Sequence, residues 1–544
     1  MRSMNYLNNL ITNVKIFSEV FNQQDTTTKA IFVNQIGYDS DKPKFATATN
    51  FKTGSTFYLK KASDKSIVYS GTVNKQKINF TNFTNNTDDE FYLQVDNKVS
   101  HPFKVKENLI FETSIPVAML FMEMSRTDPV LSSATSTGIA WRDSHQFSFE
   151  VNSLVMLYMS NPSYYESLPY NVYRCSECEY EELQTQNEPN IIWLIKYAIT
   201  KYYKWATEKD IQLHAFIKGQ IAYFLYLYPY IKQYVTEEFY NTIRDFTISI
   251  WSVETCNKSW YNETTTHNLF TTESVIGTVK GANPPGYSII PNLMMYEVLK
   301  RDGLEGYQDY FDAAYNSCKW IIDSVDFNDP QTTKGQRMNE YITMTSLTYF
   351  YEMYTQECPS GLFDKIKQWA NIMISRSNNI WDYRQYRTKG DISGSTETTW
   401  VNDYTGTGGL GNQPGNVLGF PAICYSIIRI IDDESIKQRL KEMAVAHFDH
   451  GYGRNPHGMH FSNKATSQFD GADNNWGKRM NGVGDLGWVT GVLDGSPKEA
   501  SYPFDPSADL GYSEGWVAFN TAWNMSLAYL CAENNETNKS GIFN

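Results

Sequence analysis

The chain has 544 residues and a formal charge of -13. It is too long for one ordinary domain and too acidic for nucleic-acid binding, which would need a stripe of Lys and Arg that no window supplies. Its 38 Tyr, 30 Phe and 13 Trp suit an aromatic-lined carbohydrate groove and equally a large aromatic core.

Residues 1–28 are set apart as a leader without a predicted element. Asn8, Asn9, Asn13 and Lys15 interrupt its apolar positions, so it lacks the unbroken apolar run of a secretory signal. No stretch is long enough to span a bilayer. Sequons occur at Asn79, Asn82, Asn85, Asn257, Asn262, Asn524, Asn535 and Asn538, which in an Asn- and Thr-rich chain is weak support for export.

From Lys29 to Lys106 short alternating segments (Ile31 to Val33, Phe57 to Leu59, Ile67 to Tyr69, Phe91 to Val95) are separated by Asp, Asn, Lys and Gly. That pattern predicts a small β-sandwich over 29–106. Residues 107–544 change period. Ile290, Leu293, Met294 and Val298 fall at helical spacing, as do Ile366, Trp369, Ala370 and Met373, and Ile436, Leu440, Met443 and His447. Many helices joined by polar or Gly-rich loops over this length suit an α/α barrel with its loops gathered at one end. Of seven cysteines only Cys175 and Cys178 are close, and without a second pair they do not complete a zinc site. Lys334 to Glu340 and Trp381-Asp-Tyr-Arg384 mix charge with aromatic rings, read here as buried Arg–carboxylate pairing between helices.

The densest chemistry lies near the end, where Tyr452-Gly-Arg-Asn-Pro-His-Gly458 is followed by Tyr512-Ser-Glu-Gly-Trp-Val-Ala-Phe-Asn520. Glu514 sits among aromatic and amide residues, which stack on sugars, bind hydroxyls and raise a carboxyl pKa so that it can act as an acid. Taken alone, Glu514 is also readable as an ordinary residue capping the last helix.

These two segments, with Gly491 to Pro497, Tyr502 and Asp505 between them, resemble the C-terminal signature of glycoside hydrolase family 9, the inverting cellulases. Phe32-Val-Asn-Gln-Ile-Gly-Tyr38 resembles the opening of the immunoglobulin-like module that precedes the catalytic domain in many of them. The resemblance implies a mostly α fold, an (α/α)6 barrel preceded by an immunoglobulin-like β-sandwich, and inverting hydrolysis of β-1,4-glucan or a related β-glycan. Inversion needs an acid and a base about 6.5–9.5 Å apart. Glu514 takes the acid's place. The family's Asp-Ala-Gly-Asp-Tyr base motif corresponds best to Trp141-Arg-Asp-Ser-His-Gln-Phe147, with Asp143 on the first Asp and Gln146 on the second. A Gln amide orients water but accepts no proton, so base work passes to Asp143, or to Glu150 or His145.

Trp141, His145, Gln146, Tyr404, Arg454, Trp476 and Tyr512 are the expected substrate-binding residues. His145 reads equally as a loop histidine, and Trp476 with Arg479 as loop packing in place of the family's Pro-His-His-Arg segment. No cofactor is required. Asp470, Asp473, Asp505 and Asp509 offer hard ligands for a structural calcium. The expected partner is an oligo- or polysaccharide met by a monomer in an extracellular or secretory setting. Two alternatives stay open: a catalytically silent glycan-binding relative marked by Gln146, and an exo-acting β-glycosidase on amino-sugar oligomers.

Overall fold

The computed structural model of the chain describes residues 29–127, 150–168, 187–256, 266–271, 284–328, 340–384, 386–387, 400–401, 418–455 and 517–534. Its first part is all strand: β1 Ala30–Phe32, β2 Gly37–Asp39, β3 Phe45–Thr49, β4 Thr56–Lys61, β5 Ile67–Thr72, β6 Lys77–Asn79, β7 Glu90–Val95, β8 Lys98–Val99 and β9 Phe103–Lys106. β1, β3 and β6 form one sheet, in the order β1-β3-β6. The other is six-stranded, in the order β2-β9-β7-β4-β5 with β8 on β7. Only the β2/β9 pair is parallel among these strands. Alternation places Phe57, Leu59, Phe91, Leu93 and Val95 in a core of their own, while Tyr58 faces solvent. The four segments read from the alternation fall on β1, β4, β5 and β7. β3 (Phe-Ala-Thr-Ala-Thr) and β6 (Lys-Ile-Asn) carry too few large apolar residues to stand out.

The rest is helical: α1 Leu109–Thr127, α2 Glu150–Ser160, α3 Pro162–Ser167, α4 Asn190–Glu208, α5 Ala215–Leu227, α6 Glu237–Ile250, α7 Ile289–Arg301, α8 Tyr307–Ser324, α9 Glu340–Met353, α10 Leu362–Arg376, α11 Phe420–Ile428, α12 Glu434–Gly451 and α13 Val517–Asn534. A two-stranded ribbon, β10 Tyr386–Arg387 with β11 Trp400–Val401, lies between α10 and α11. Helices α2, α5, α7, α9, α11 and α13 each pack on the next, and α13 closes on α2. α1, α4, α6, α8, α10 and α12 stand outside this ring, each packing on inner helices. The result is six helical hairpins in a closed (α/α)6 barrel behind the sandwich.

The two rings differ in their sequences because they differ in surroundings. Every residue of α5 and of α11 is buried, as expected for a helix with protein on all sides. α10 buries only Leu362, Ile366, Trp369, Ala370, Met373 and Arg376, and α6 only Tyr240, Ile243 and Thr247. One stripe at spacing three and four is what a helix facing water on its far side presents. Two polar side chains of α5 are paired: Gln220 Oε1 accepts from Val151 N at 3.1 Å and Tyr202 Oη at 3.3 Å, and Lys218 Nζ donates to Val253 O and His267 O. The sequon at Asn524 falls inside α13, where Asn524 and Ser526 are both fully buried, so the folded chain has no room for a glycan there.

The turn between β1 and β2 explains the Phe32–Tyr38 heptapeptide. Asn34 Oδ1 accepts from Ile36 N and Gly37 N at 3.0 and 3.1 Å, a side chain imitating a backbone turn. Tyr38 Oη accepts from Asn34 N and donates to Phe45 O. Gly37 has φ 135°, and a Cβ there would stand 2.1 Å from Lys104 O. Gly37→Ala is therefore expected to cost at least about 1–3 kcal/mol, read as a lowered denaturation midpoint with an unchanged m-value.

Candidate functional site

The inner helices run in parallel. Tyr287, just before α7, donates to Ala215 O at the start of α5. Gly419, just before α11, abuts Tyr341 at the start of α9, and Tyr341 is hydrogen-bonded to Thr521 near the start of α13. At the opposite end Ser160, the last residue of α2, accepts a contact from Cys531 late in α13. All the inner N-termini thus gather at one end, and the connections that enter them arrive there.

Of the residues expected to act on substrate, Arg454 is among those described, and Glu150, an alternative base, is the first residue of α2. Glu514, Asp143, Trp141, His145, Gln146, Tyr404, Trp476 and Tyr512 lie outside the described residues, as do the calcium candidates Asp470, Asp473, Asp505 and Asp509 and the Cys175/Cys178 pair. Among the described residues no group of three or more His, Cys, Asp or Glu is placed to hold a metal ion.

Arg454 departs from its expected place in a sugar-binding groove. Its side chain is 0% exposed and turned toward the sandwich. Nε donates to Thr47 Oγ1 at 3.3 Å, Nη2 to Asp382 Oδ2 at 3.1 Å and to Ile380 O at 3.5 Å, and Nη1 lies 3.5 Å from Asp449 Oδ2. Asp382 also takes Lys77 Nζ from β6 at 2.5 Å and Arg439 Nη1 from α12 at 2.7 Å. Arg439 in turn reaches Glu442 and Ser377 O. Asp449 Oδ1 accepts from Asn34 Nδ2 at 3.0 Å, and Gln35 N donates to Tyr452 O at 2.8 Å. Gly453, at φ 115°, lies so close to Gln35 that a Cβ would meet its side chain at 2.7 Å. The heptapeptide near the amino terminus and the Gly-Arg-Asn loop, 415 residues apart between Asn34 and Asp449, are two halves of one seam.

Arg454 stands out in the sequence by its motif, whereas Lys77, Arg439 and Asp449 belong to no motif and have partners distant in sequence. The signal available for Asp449 was a lone carboxylate in Ala-Val-Ala-His-Phe-Asp-His, an otherwise buried helix end.

A second buried cluster flanks the mouth. Glu340, the first residue of α9, accepts from Trp369 Nε1 at 2.8 Å and pairs with Arg384, whose guanidinium lies 5.6 Å from the Phe420 ring centre. Phe420 stacks on His447 at 4.2 Å, and Tyr383 on His447 and His450 at 4.4 and 4.0 Å. This is the buried Arg–carboxylate pairing read from the sequence. Burial holds His447 well below the ordinary imidazole range, with His450 and Arg384 acting in the same sense. His447 is thus neutral, and its Nδ1 bonds Met443 O at 2.7 Å.

Two of the seam's carboxylates are held in opposite states. Burial alone would raise Asp382, but Arg454, Lys77 and Arg439 outweigh it and hold the carboxyl at about 2. Asp449 has one weaker cationic neighbour, and burial pushes it up to about 7. Asp39, which accepts from Ile110 N at the start of α1, is likewise pushed by burial to about 6. Asp39, Asp449, Tyr38 and Tyr425 line a narrow cleft along the seam.

Fold and seam together define a helical barrel with a sandwich bolted to its wall, and known proteins share this design. Residues 26–100 match the family model described as the cellulase N-terminal Ig-like domain. No curated protein sequence matches the chain. Among solved structures, a metagenome-derived glycoside hydrolase family 9 endoglucanase superposes with TM-score 0.58 at 12% identity, over 93% of this chain and 100% of that one. A Bacteroides ovatus family 9 protein gives 0.55 at 11% over 93% and 99%. A thermostable endoglucanase from Alicyclobacillus acidocaldarius gives 0.56 at 9% over 93% and 100%. The chain shares the fold of these family 9 structures, and its first part matches the cellulase Ig-like model.

The seam's titration predicts a pH dependence of stability. The folded pKa of Asp449 exceeds its unfolded value near 3.8, so its contribution is complete below about pH 4 and falls as pH rises through about 7. Asp382 behaves oppositely. Its contribution is present above about pH 4 and is lost as pH falls toward 2. Asp449→Asn keeps the acceptor for Asn34 and removes the charge. Its melting temperature relative to wild type is expected to rise between pH 5 and pH 8, and a difference flat across that range would contradict the assignment.

Proposed function

We propose that the protein is an inverting glycoside hydrolase acting on β-1,4-glucan or a closely related β-glycan, with Glu514 as the acid and Asp143 as water-holder and base. The observation that carries this reading is the chain order at the barrel mouth. Asp143 lies seven residues before the start of α2, Tyr404 before α11, and Glu514 three residues before α13. α11, α13 and α2 are consecutive in the inner ring. Packed helices stand about 8–10 Å apart, so the N-termini that follow the two carboxylates in the chain are near enough for an acid and a base to meet across one glycosidic oxygen, which supports this reading.

In this reading Glu514 delivers its proton to the leaving oxygen while Asp143 draws one from water on the opposite face of the sugar ring. Gln146 orients that water without taking its proton, which makes turnover slower than with a second carboxylate. Tyr404, Trp141, Trp476 and Tyr512 supply stacking surfaces. No cofactor enters the reaction. AaCel9A, of the same fold at TM-score 0.56 and 9% identity, has been solved with a cellobiose-like isofagomine, a ligand of the size and chemistry this mouth is proposed to take. A polymeric glucan sets the reaction outside the cell. No helix among the described residues is long and apolar enough to cross a membrane.

The test is turnover of soluble β-glucans and chito-oligosaccharides by wild type, Glu514→Gln and Gln146→Asp. Glu514→Gln is expected to lower kcat by about 10²-fold or more, and Gln146→Asp to raise it. Wild-type turnover that survives Glu514→Gln would overturn the acid. Oligosaccharide binding without turnover, with activity appearing in Gln146→Asp, would favour the silent glycan-binding alternative.

A further inference from the structure

We propose that Lys77, Thr47, Asp382 and Arg454 are positioning residues, through which the sandwich sets the mouth of the barrel from outside. The proposal rests on the reading that the mouth is the reaction site. It starts from where the cluster sits in the chain. The two longest connections into the inner ring are 377–419, between α10 and α11, and 452–516, between α12 and α13. Asp382 stands near the root of the first and Arg454 at the root of the second.

Two sandwich side chains each bear on these roots. Thr47 donates to Ile380 O at 3.1 Å in one and accepts from Arg454 Nε at 3.3 Å in the other. Lys77 holds Asp382 Oδ1 while Arg454 holds Asp382 Oδ2. Neither root rests in regular structure. Asp382 has φ 53° and Gly453 φ 115°, and the left-handed region is unfavourable for a residue with a Cβ. The ion cluster outweighs that preference at Asp382 and selects one exit direction for the chain.

The chemistry of the seam argues for orientation over adhesion. Lys77, Arg439 and Arg454 face Asp382, Asp449 and Glu442, three cations to three carboxyl groups, in a seam where apolar packing would hold at least as well. Charged forks fix direction where apolar contact does not. Asp382, shared by both roots through its two oxygens, ties their relative placement to β6. Misplacement by about 1 Å at a reacting centre costs on the order of 10²-fold in rate, so a device that fixes both roots bears on turnover.

Lys77 lends itself to the test because its side chain is 26% exposed and lies on β6 of the sandwich. In the full chain, Lys77→Met is expected to lower kcat on a soluble β-glucan by about tenfold with KM within about twofold, and Lys77→Arg to restore most of it. Hydrogen exchange should quicken in Lys77→Met within 385–417 and 456–516 and stay unchanged in α8. Thr47→Val, a milder change, should act in the same direction. A Lys77→Met protein with a lower melting temperature but unaltered kcat and unaltered exchange in those two segments would overturn the proposal, leaving Lys77 a structural residue. If wild type turns over no β-glycan, the functional reading fails by itself, and the exchange comparison still decides the positioning role: unaltered exchange sinks it.

Discussion

The placement of Asp382 is the constraint on which the rest of this molecule turns. A carboxylate that is 2% exposed is tolerable only if cations surround it, because an unpaired buried charge costs several kcal/mol. Here the cations come from three places: β6 of the sandwich, the body of α12, and the loop that follows α12. None of the three elements can shift far without stranding the charge. The sandwich is therefore built into the barrel wall and is no pendant module on a tether. Asn34 on Asp449, Gln35 on Tyr452 and Asp39 on the start of α1 repeat the same bridging along the seam.

The barrel is held by a different logic. Its inner ring is apolar in nearly every direction, and its outer ring is apolar along one stripe. Such patterns are satisfied by many sequences of similar size and polarity, which accounts for a shared fold with solved endoglucanases at 9–12% identity. The buried polar groups are specified far more tightly, since each needs one partner at one distance. Glu340 with Arg384 and Trp369, and Gln220 with Val151 and Tyr202, tie neighbouring elements at points that apolar packing alone would leave free to slide.

What the sequence made legible follows from this division. Period two in Phe57 to Leu59 and Phe91 to Val95, and the stripes of α10 and α12, are local signals and were read from windows of a dozen residues. The small strands β3 and β6 are not, because Ala, Thr and Asn give no alternation, and their pairing, β1 on β3 and β3 on β6, joins segments distant in sequence. Arg454 was recognisable by its motif, but its direction was not: whether a guanidinium faces a groove or a seam depends on Thr47 and Asp382, 407 and 72 residues away. The segments 141–146 and 512–514 speak through their residue types and their places ahead of α2 and α13, which is chemistry and chain order without contacts.

The parallel run of the inner helices has an electrical consequence. Each helix carries a partial positive charge at its N-terminus, and six of them point those ends at the same opening. On a chain whose formal charge is -13, their joint contribution at the mouth is positive. It eases the ionisation of any carboxyl group rooted there, which favours a base and opposes an acid. In the proposed function Glu514, three positions ahead of α13, must keep its proton and so depends on apolar neighbours, for which the sequence supplies Tyr512 and Trp516.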